Sequence, residues 1–117
     1  MSKHHKVNYF EFPCQNIAKT KAFFSNAFGW EFVDYGPDYC AITGAGLDGG
    51  FFTSDKNSLT ADGSTLIVLF SDNIETTHQG VIAAGGTIIQ EIFEFPGGRR
   101  FHFTEPSGNE FAVWTDA

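Results

Sequence analysis

The sequence predicts a single α+β domain made of two βαβββ modules, and two observations support this fold class. The first is an internal repeat, because a shift of 57 positions aligns Asn16 with Asn73 and Gly29 with Gly86. The second is that each half combines one segment of helical spacing with several short runs of strand-forming residues. A repeat of this kind gives each half one helix start and one helix stop, so we expect two equivalent modules.

The first module is assigned to residues 6–57. Asn16 is placed to cap a helix whose apolar residues, such as Phe24 and Phe28, recur near helical spacing, and Gly29 ends this helix. Its strands are predicted from apolar runs bounded by Gly, Pro or Asp. The predicted strands are residues 7–13, 30–35, 39–43 and 50–53.

The second module is assigned to residues 64–117, after a polar linker at residues 54–63. Asp72 and Glu75 resemble a capping box at the start of its helix, and the Gly85-Gly86 pair stops that helix. Pro- and Gly-containing turns separate the strands that follow. The predicted strands are residues 65–70, 87–95, 100–104 and 110–115. The element order is therefore the same in both halves.

The alternation of side chains along the strands predicts two different sheet faces, because successive residues of a strand point to opposite sides. One face is apolar and is expected to pack under the helices. It carries Phe10, Phe12, Ile67, Leu69, Phe101, Phe103, Phe111 and Val113. The opposite face is mixed, polar and aromatic in one part and apolar in another. It carries Tyr9, Glu11, Leu66, Val68, Phe70, Arg100, His102, Thr104, Glu110, Ala112 and Trp114.

Length and composition restrict the possible functions. A chain of 117 residues can bury one core, so we expect residues 1–117 to form one domain. A net charge of −7 disfavours binding to nucleic acids and to anionic membrane surfaces. The sequence has no apolar run long enough for a membrane span, no recognisable signal peptide, and only two cysteines without metal or redox spacing. We therefore expect a cytoplasmic protein with reduced thiols.

Four segments carry a resemblance to a known family. They are residues 7–13 (VNYFEFP), Asn16-Ile17, residues 28–30 (FGW) and residues 105–110 (EPSGNE). These segments resemble the strand-helix opening and the closing hairpin of the vicinal oxygen chelate superfamily, which includes glyoxalases, bleomycin-resistance proteins and extradiol dioxygenases. The resemblance runs over essentially the whole chain. It implies an open eight-stranded sheet around a cleft that holds a small molecule, and a homodimer in which modules of two chains cover each other's sheet edges.

The resemblance also implies where metal ligands would lie. Relatives that use a divalent ion hold it with one side chain from the first and one from the last strand of each module. These positions correspond to Tyr9, Leu66, Ala112 and a residue within 49–53, none of which is a usual ligand of that site. A catalytic ion generally needs about three His or carboxylate ligands. We therefore expect no metal and no other cofactor, with a divalent ion held by other ligands as the alternative.

Without a metal, the mixed face becomes the candidate site. The candidate ligand-binding residues are Tyr9, Phe51, Phe52, Phe70, Arg100 and Trp114. Glu11 and His102 are the candidate acid and base, since a carboxylate and an imidazole can transfer protons near neutral pH. The competing interpretation is a solvated sheet face on which Glu11 and Arg100 form an ion pair of little consequence. Arg99 and Arg100 could also form hairpin salt bridges, for instance to Glu94.

Two function classes remain open from the sequence. In the first, the protein binds an anionic or aromatic small molecule in a metal-free cleft, as the resemblance to bleomycin-resistance proteins implies. In the second, it is a lyase or isomerase of the lactoylglutathione lyase type, or a dioxygenase-related enzyme. The absence of usual ligands at the four expected positions favours binding. No motif identifies the ligand.

Overall fold

The computed structural model describes residues 2–117 and has the predicted order of elements in both halves. The strands are β1 (Tyr9–Cys14), β2 (Glu31–Asp34), β3 (Tyr39–Thr43), β4 (Asp48–Thr53), β5 (Ile67–Phe70), β6 (Thr87–Phe95), β7 (Gly98–Thr104) and β8 (Glu110–Thr115). The helices are α1 (Ile17–Phe28), α2 (Ile74–Ala83) and a short 3₁₀ helix in the linker, Thr60–Asp62. No helix within residues 2–117 is long and apolar enough to cross a membrane. The α+β fold of two βαβββ modules is confirmed.

The two α-helices begin in the same way, which explains the repeat in the sequence. The side chains of Asn16 and Asn73 each accept a hydrogen bond from the backbone N–H three residues on, at 3.0 and 3.1 Å. Their backbones are nearly identical, with φ of −141° and −144° and ψ of 93° in both. The predicted capping box of Asp72 and Glu75 is therefore wrong. Asn73 immediately precedes the first helical residue, so its side chain rather than that of Asp72 reaches the free N–H groups.

The eight strands are divided between two four-stranded sheets. Within residues 2–117 the strand order is β1-β4-β3-β2 in the first sheet and β5-β8-β7-β6 in the second. The first and last strands of each module pair in parallel, and the other pairs are antiparallel. Within residues 2–117 the expected eight-stranded arrangement is thus not one continuous hydrogen-bonded sheet, because β1 and β5 are edge strands that do not pair with each other.

One apolar core lies between the sheets and the helices and contains residues of both modules. Phe12 of the first module stacks on Phe111 of the second with ring centroids 4.7 Å apart, and Phe23 of α1 contacts Phe103 of β7 at 5.7 Å. Trp30 is also buried, stacked on a neighbouring Phe. The predicted apolar face therefore packs as expected. We call the opposite side of each sheet its open face.

A buried polar network also joins the modules, and its centre is the carboxylate of Glu105. This carboxylate accepts hydrogen bonds from the hydroxyl of Thr20 at 2.6 Å and from the backbone N–H groups of Ser107 and Asn109 at 2.9 and 3.1 Å. The amide of Asn109 donates to the carbonyl of Pro13 at 2.7 Å. We call these five residues the inter-module network. The EPSGN turn therefore connects the end of the second module to the first strand and helix of the first.

Candidate functional site

The open face of the first module carries a hydrogen-bonded cluster. The hydroxyl of Tyr39 donates to Oε2 of Glu11 at 2.9 Å and is also hydrogen-bonded to the hydroxyl of Tyr9. Burial and these hydrogen bonds raise the pKa of the Tyr39 phenol well above its ordinary value. Tyr39 lies across the neighbouring strand because residue 50 is Gly, where a Cβ would overlap the phenol oxygen. In this cluster the phenol of Tyr39 is therefore protonated, and the carboxylate of Glu11 already accepts a hydrogen bond.

The two adjacent Phe residues of β4 lie on opposite faces. Phe52 is 37% exposed on the open face, as predicted, whereas Phe51 is fully buried. The ring of Phe51 stacks against Phe24 of α1 at 5.7 Å. The prediction that Phe51 lines the cleft is therefore wrong. Side chains alternate along a strand of regular register such as β4, so Phe51 and Phe52 cannot both face a ligand on one side of the sheet.

On the second module, His102 is oriented by Glu110. Antiparallel pairing of β7 with β8 sets His102 opposite Ala112, with Glu110 diagonally beside it, and joins Nδ1 of His102 to Oε2 of Glu110 at 2.7 Å. The backbone N–H and hydroxyl of Thr60 donate to the other oxygen of Glu110 at 2.8 and 2.9 Å. Burial raises the pKa of Glu110, but the hydrogen bonds from His102 and Thr60 outweigh it and lower the pKa below its ordinary value. The carboxylate is therefore ionised at neutral pH.

Arg100 lies on the same open face, among aromatic rings. Its guanidinium carbon is 5.4 Å from the ring centroid of Phe93 and 5.7 Å from that of Phe95. Trp114 lies opposite Arg100 on β8 and packs edge-on against Phe70 with centroids 5.3 Å apart. The Nε atom of Arg100 is buried and has no hydrogen-bond partner within residues 2–117. We call these five residues the arginine cage.

The neighbouring Arg99 has a different environment. Its guanidinium forms a salt bridge with Glu75 of α2 at 2.5 Å. The suggested salt bridge with Glu94 is wrong for Arg99, although the two residues are Cα partners across β6 and β7. The suggested ion pair between Glu11 and Arg100 is also not formed, since Glu11 is hydrogen-bonded to Tyr39. Of the two arginines, Arg100 is thus the one whose guanidinium lies on the open face. It forms no salt bridge with a carboxylate within residues 2–117.

The structure does not bring together the two candidate catalytic groups. Glu11 is held by Tyr39 on the first sheet, and His102 is held by Glu110 on the second. His102 lines a cavity of about 520 Å³ beneath the linker, while Glu11 lines a separate cavity of about 280 Å³. The candidate ligand residues divide in the same way, with Tyr9 and Phe52 on the first sheet and the arginine cage on the second.

The residues at the four expected metal positions do not fit a divalent ion. Ala112 presents a methyl group and Leu66 an aliphatic side chain, and the hydroxyl of Tyr9 is hydrogen-bonded to Tyr39. Residues 49–53 contain no His or carboxylate. Over residues 2–117, no three side chains of His, Cys, Asp or Glu lie together as a possible metal-binding group. The donor set of this face therefore differs from that of metal-using relatives.

Several site residues were not found from the sequence. Tyr39 reaches Glu11 across β4, and the register that aligns them follows from tertiary pairing rather than from local pattern. Phe93 and Phe95 reach Arg100 because β6 carries register shifts, which alternation cannot predict. The pairing of His102 with Glu110 could have been predicted from the sequence, because a hairpin turn at residues 105–109 sets Glu110 beside His102 on the same face.

Comparisons with known proteins identify relatives over nearly the whole chain. Residues 6–113 match the family model described as the Glyoxalase/Bleomycin resistance protein/Dioxygenase superfamily. No curated protein matches the chain by sequence.

Solved structures share the fold at low sequence identity. A glyoxalase/bleomycin resistance protein/dioxygenase family enzyme from Burkholderia phytofirmans PsJN superposes with a TM-score of 0.79 at 17% identity, covering 94% of this chain and 98% of that one. A glyoxalase-related enzyme from Fulvimarina pelagi has a TM-score of 0.78 at 15% identity, with 95% and 88% covered. A glyoxalase/bleomycin resistance protein from Albidiferax ferrireducens T118 has a TM-score of 0.73 at 15% identity, with 95% and 98% covered. At these identities the likeness establishes the fold alone.

Proposed function

The chain belongs to the Glyoxalase/Bleomycin resistance protein/Dioxygenase superfamily, and from this premise we propose that it binds a small anionic, aromatic molecule in the arginine cage without a metal ion. The observation that carries the proposal is the buried Nε of Arg100, which lacks a hydrogen-bond partner within residues 2–117. A buried polar group without a partner costs free energy, and a bound carboxylate or phosphate would relieve that cost through charge-assisted hydrogen bonds.

The surroundings of Arg100 support the same ligand class. The chain has a net charge of −7, so an anion needs a local cation to bind. Arg99 lies on the helix side of the sheet and is neutralised there by Glu75, so Arg100 is the arginine of this face. Phe70 is 51% exposed and packs against Trp114, so the two rings offer an aromatic wall beside the guanidinium. An aromatic acid would therefore place its charge on Arg100 and its ring against this wall.

Isothermal titration with benzoate, phenyl phosphate and neutral benzamide tests the proposal. We expect the two anions to bind and benzamide to bind at least tenfold more weakly. Arg100→Ala should abolish anion binding, and Trp114→Ala should weaken it. Arg99→Ala is the matched control, because it removes the same charge from the adjacent residue but not from the cage. Equal anion affinity in Arg100→Ala and wild type would rule out the arginine cage as the site.

We propose that two chains form a homodimer in which the first sheet of one chain faces the second sheet of the other. The support is that β1 and β5 are edge strands, each paired on one side only within residues 2–117, and that Tyr9, Phe52, Val68 and Phe70 expose apolar surface near them. Such an assembly would add Tyr9 and Phe52 to a ligand held by Arg100. Light scattering at micromolar concentration should give twice the mass of one chain, and a concentration-independent monomer would contradict it.

The proposed site contains no metal, and elemental analysis of dialysed protein checks this. We expect less than a tenth of an equivalent of Zn²⁺, Ni²⁺, Mn²⁺ or Fe²⁺ per chain, because the ligand positions carry Tyr9, Leu66 and Ala112. A full equivalent of such an ion retained through dialysis would contradict a metal-free site.

Catalysis is the second candidate function, as a lyase or isomerase of the lactoylglutathione lyase type or as a dioxygenase-related enzyme. The specific observation in its favour is the hydrogen bond that orients His102 towards Glu110. Any compound that binds should be assayed for conversion, with His102→Ala and Glu11→Gln as variants. An enzyme that uses His102 would lose turnover in the first variant. Turnover that survives both changes would assign the chemistry to other residues.

A further inference from the structure

The cavity that His102 lines lies beside the arginine cage, on the side of His102 away from Arg100. It has a volume of about 520 Å³ and is bounded by the linker, by β6 and by the ends of β7 and β8. Leu59, Ala61 and Ile89 supply its apolar walls, and His102, Gln90 and Thr104 supply polar groups. We call this cavity the linker pocket. Arg100 and Trp114 do not line it, so it is separate from the arginine cage.

We propose that the linker pocket is a second binding site, for an uncharged hydroxylated molecule whose O–H group donates a hydrogen bond to Nε2 of His102. The site goes beyond the proposed anion binding, because it uses different residues and selects against charge. Its volume is in the range of small-molecule sites, which are mostly apolar with a few placed polar groups.

The hydrogen bonding of His102 defines what its free nitrogen can do. The ionised carboxylate of Glu110 can only accept, so Nδ1 of His102 carries the proton in their 2.7 Å hydrogen bond. In the neutral imidazole, Nε2 is then an acceptor. No hydrogen bond occupies Nε2 within the part of the chain that the structure describes. A ligand hydroxyl matches this acceptor, whereas an ether or a ketone does not.

The remaining groups explain why an uncharged molecule fits. The negative carboxylate of Glu110 disfavours an anion in the same pocket. Both oxygens of that carboxylate already accept hydrogen bonds, from Thr60 and from His102, so little hydrogen-bonding capacity is left for a bound cation. The side chains of Gln90 and Thr104 make no hydrogen bond within residues 2–117 and can contact additional polar groups of the ligand. Register shifts on both sides of Gln90 bend β6 at this point.

Phenol is a suitable probe, because it is uncharged at pH 7.5 and combines an apolar ring with one hydroxyl. Titration of the intact protein is followed by the ring-nitrogen resonances of histidine in proton–nitrogen correlation spectra. We expect phenol to shift Nε2 of His102, and His102→Gln to weaken phenol binding at least tenfold. His78→Gln is the matched control, since His78 forms a similar hydrogen bond with Glu91 at 2.9 Å outside the pocket. An unshifted His102, or phenol affinity in His102→Gln within twofold of wild type, would overturn the proposal.

Glu110→Gln separates ligand recognition from a purely structural role of the pair. Thr60 donates two hydrogen bonds to Oε1, so the Gln amide oxygen takes that place and the NH₂ group faces His102. Nδ1 must then accept, which moves the imidazole proton to Nε2. The ratio of phenol to anisole affinity should fall at least tenfold, because anisole can only accept. If the His102–Glu110 pair only anchors the linker, Glu110→Gln would weaken the binding of phenol and of anisole equally. An unchanged affinity ratio would therefore count against the proposal.

A third variant covers the case in which changes to the pair prevent folding. Ala61→Trp places a large side chain at an exposed position of the pocket wall without touching His102 or Glu110. We expect it to abolish phenol binding and to leave benzoate binding in the arginine cage unchanged. Phenol binding that persists would overturn the linker pocket as the site. Loss of benzoate binding in Arg100→Ala concerns the first proposal alone, so the two can fail independently.

Discussion

Glu105 and Glu110 lie five residues apart and are both buried, at 2% and 5% exposure, yet their carboxylates have different kinds of partner. The donors to Glu105 are one hydroxyl and two backbone N–H groups, which do not titrate near neutral pH. The donors to Glu110 are Thr60 of the linker and the imidazole of His102, a side chain that lines the linker pocket. Burial alone therefore does not distinguish a structural carboxylate from one at a candidate site, whereas the partners do.

Glu105 and Glu110 also lie in different parts of the fold. Glu105 lies in the turn between β7 and β8, within the inter-module network, and its donors fix it from both modules. Glu110 is the first residue of β8 and lies on the open face, where His102 separates the linker pocket from the arginine cage. The first carboxylate thus stabilises the packing of the modules, and the second orients a side chain towards a cavity.

Removing the acceptor at Glu105 should have the largest effect on stability. Glu105→Gln replaces one acceptor oxygen by an NH₂ group that faces buried donors, so the loss should be about 3 kcal/mol or more of unfolding free energy. Urea denaturation measures it, and Glu94→Gln on the exposed side of β6 is the control, with an expected change within about 0.5 kcal/mol. A loss below 1 kcal/mol for Glu105→Gln would show that the network does not hold the modules together.

Glu110→Gln should have a smaller and pH-dependent effect. The amide oxygen can still accept from Thr60, so we expect a loss of about 1–2 kcal/mol at pH 7. The pKa of Glu110 is lowered in the folded state, so its contribution is fully present above the ordinary value of 4.5 and is lost as pH falls through the lower folded pKa. Urea denaturation of both proteins at pH 7 and below pH 4 should therefore show a difference that narrows in acid. A constant difference would contradict a stabilising ionised Glu110.

The sequence predicted the fold more completely than the site, and the reason is the range of the interactions involved. Helix caps such as Asn16 and strand alternation depend on neighbouring residues, so both modules and the apolar face were predicted correctly. Phe51 was misplaced because both residues of a consecutive pair were assigned to one face, against the alternation. The contacts of Tyr39 and Phe93 depend on strand register and on shifts in β6, which no local pattern contains.

Thr60→Val tests how the linker is attached to the site. The substitution removes the 2.9 Å hydrogen bond from the Thr60 hydroxyl to Glu110 and retains the one from its backbone N–H. The loss should be about 0.5–1.5 kcal/mol by denaturation, because one hydrogen bond to a charged acceptor is lost and the other remains. Thr53→Val at an exposed position of β4 serves as the control. If Thr60→Val equals wild type, the linker is held by its other contacts alone.

Arg100→Ala should change stability least, although Arg100 is central to the proposed function. The substitution loses the contacts of the guanidinium with Phe93 and Phe95, each worth about 0.5–1 kcal/mol. It also removes a buried Nε without a partner in residues 2–117, whose burial costs about 1–3 kcal/mol. The two contributions oppose each other, so the unfolding free energy should remain within about 1 kcal/mol of wild type.

With benzoate present, wild type should gain thermal stability and Arg100→Ala should not, because only a ligand that binds the folded state raises Tm. A large loss of stability without ligand would instead place Arg100 with Glu105, among the groups that hold the fold together.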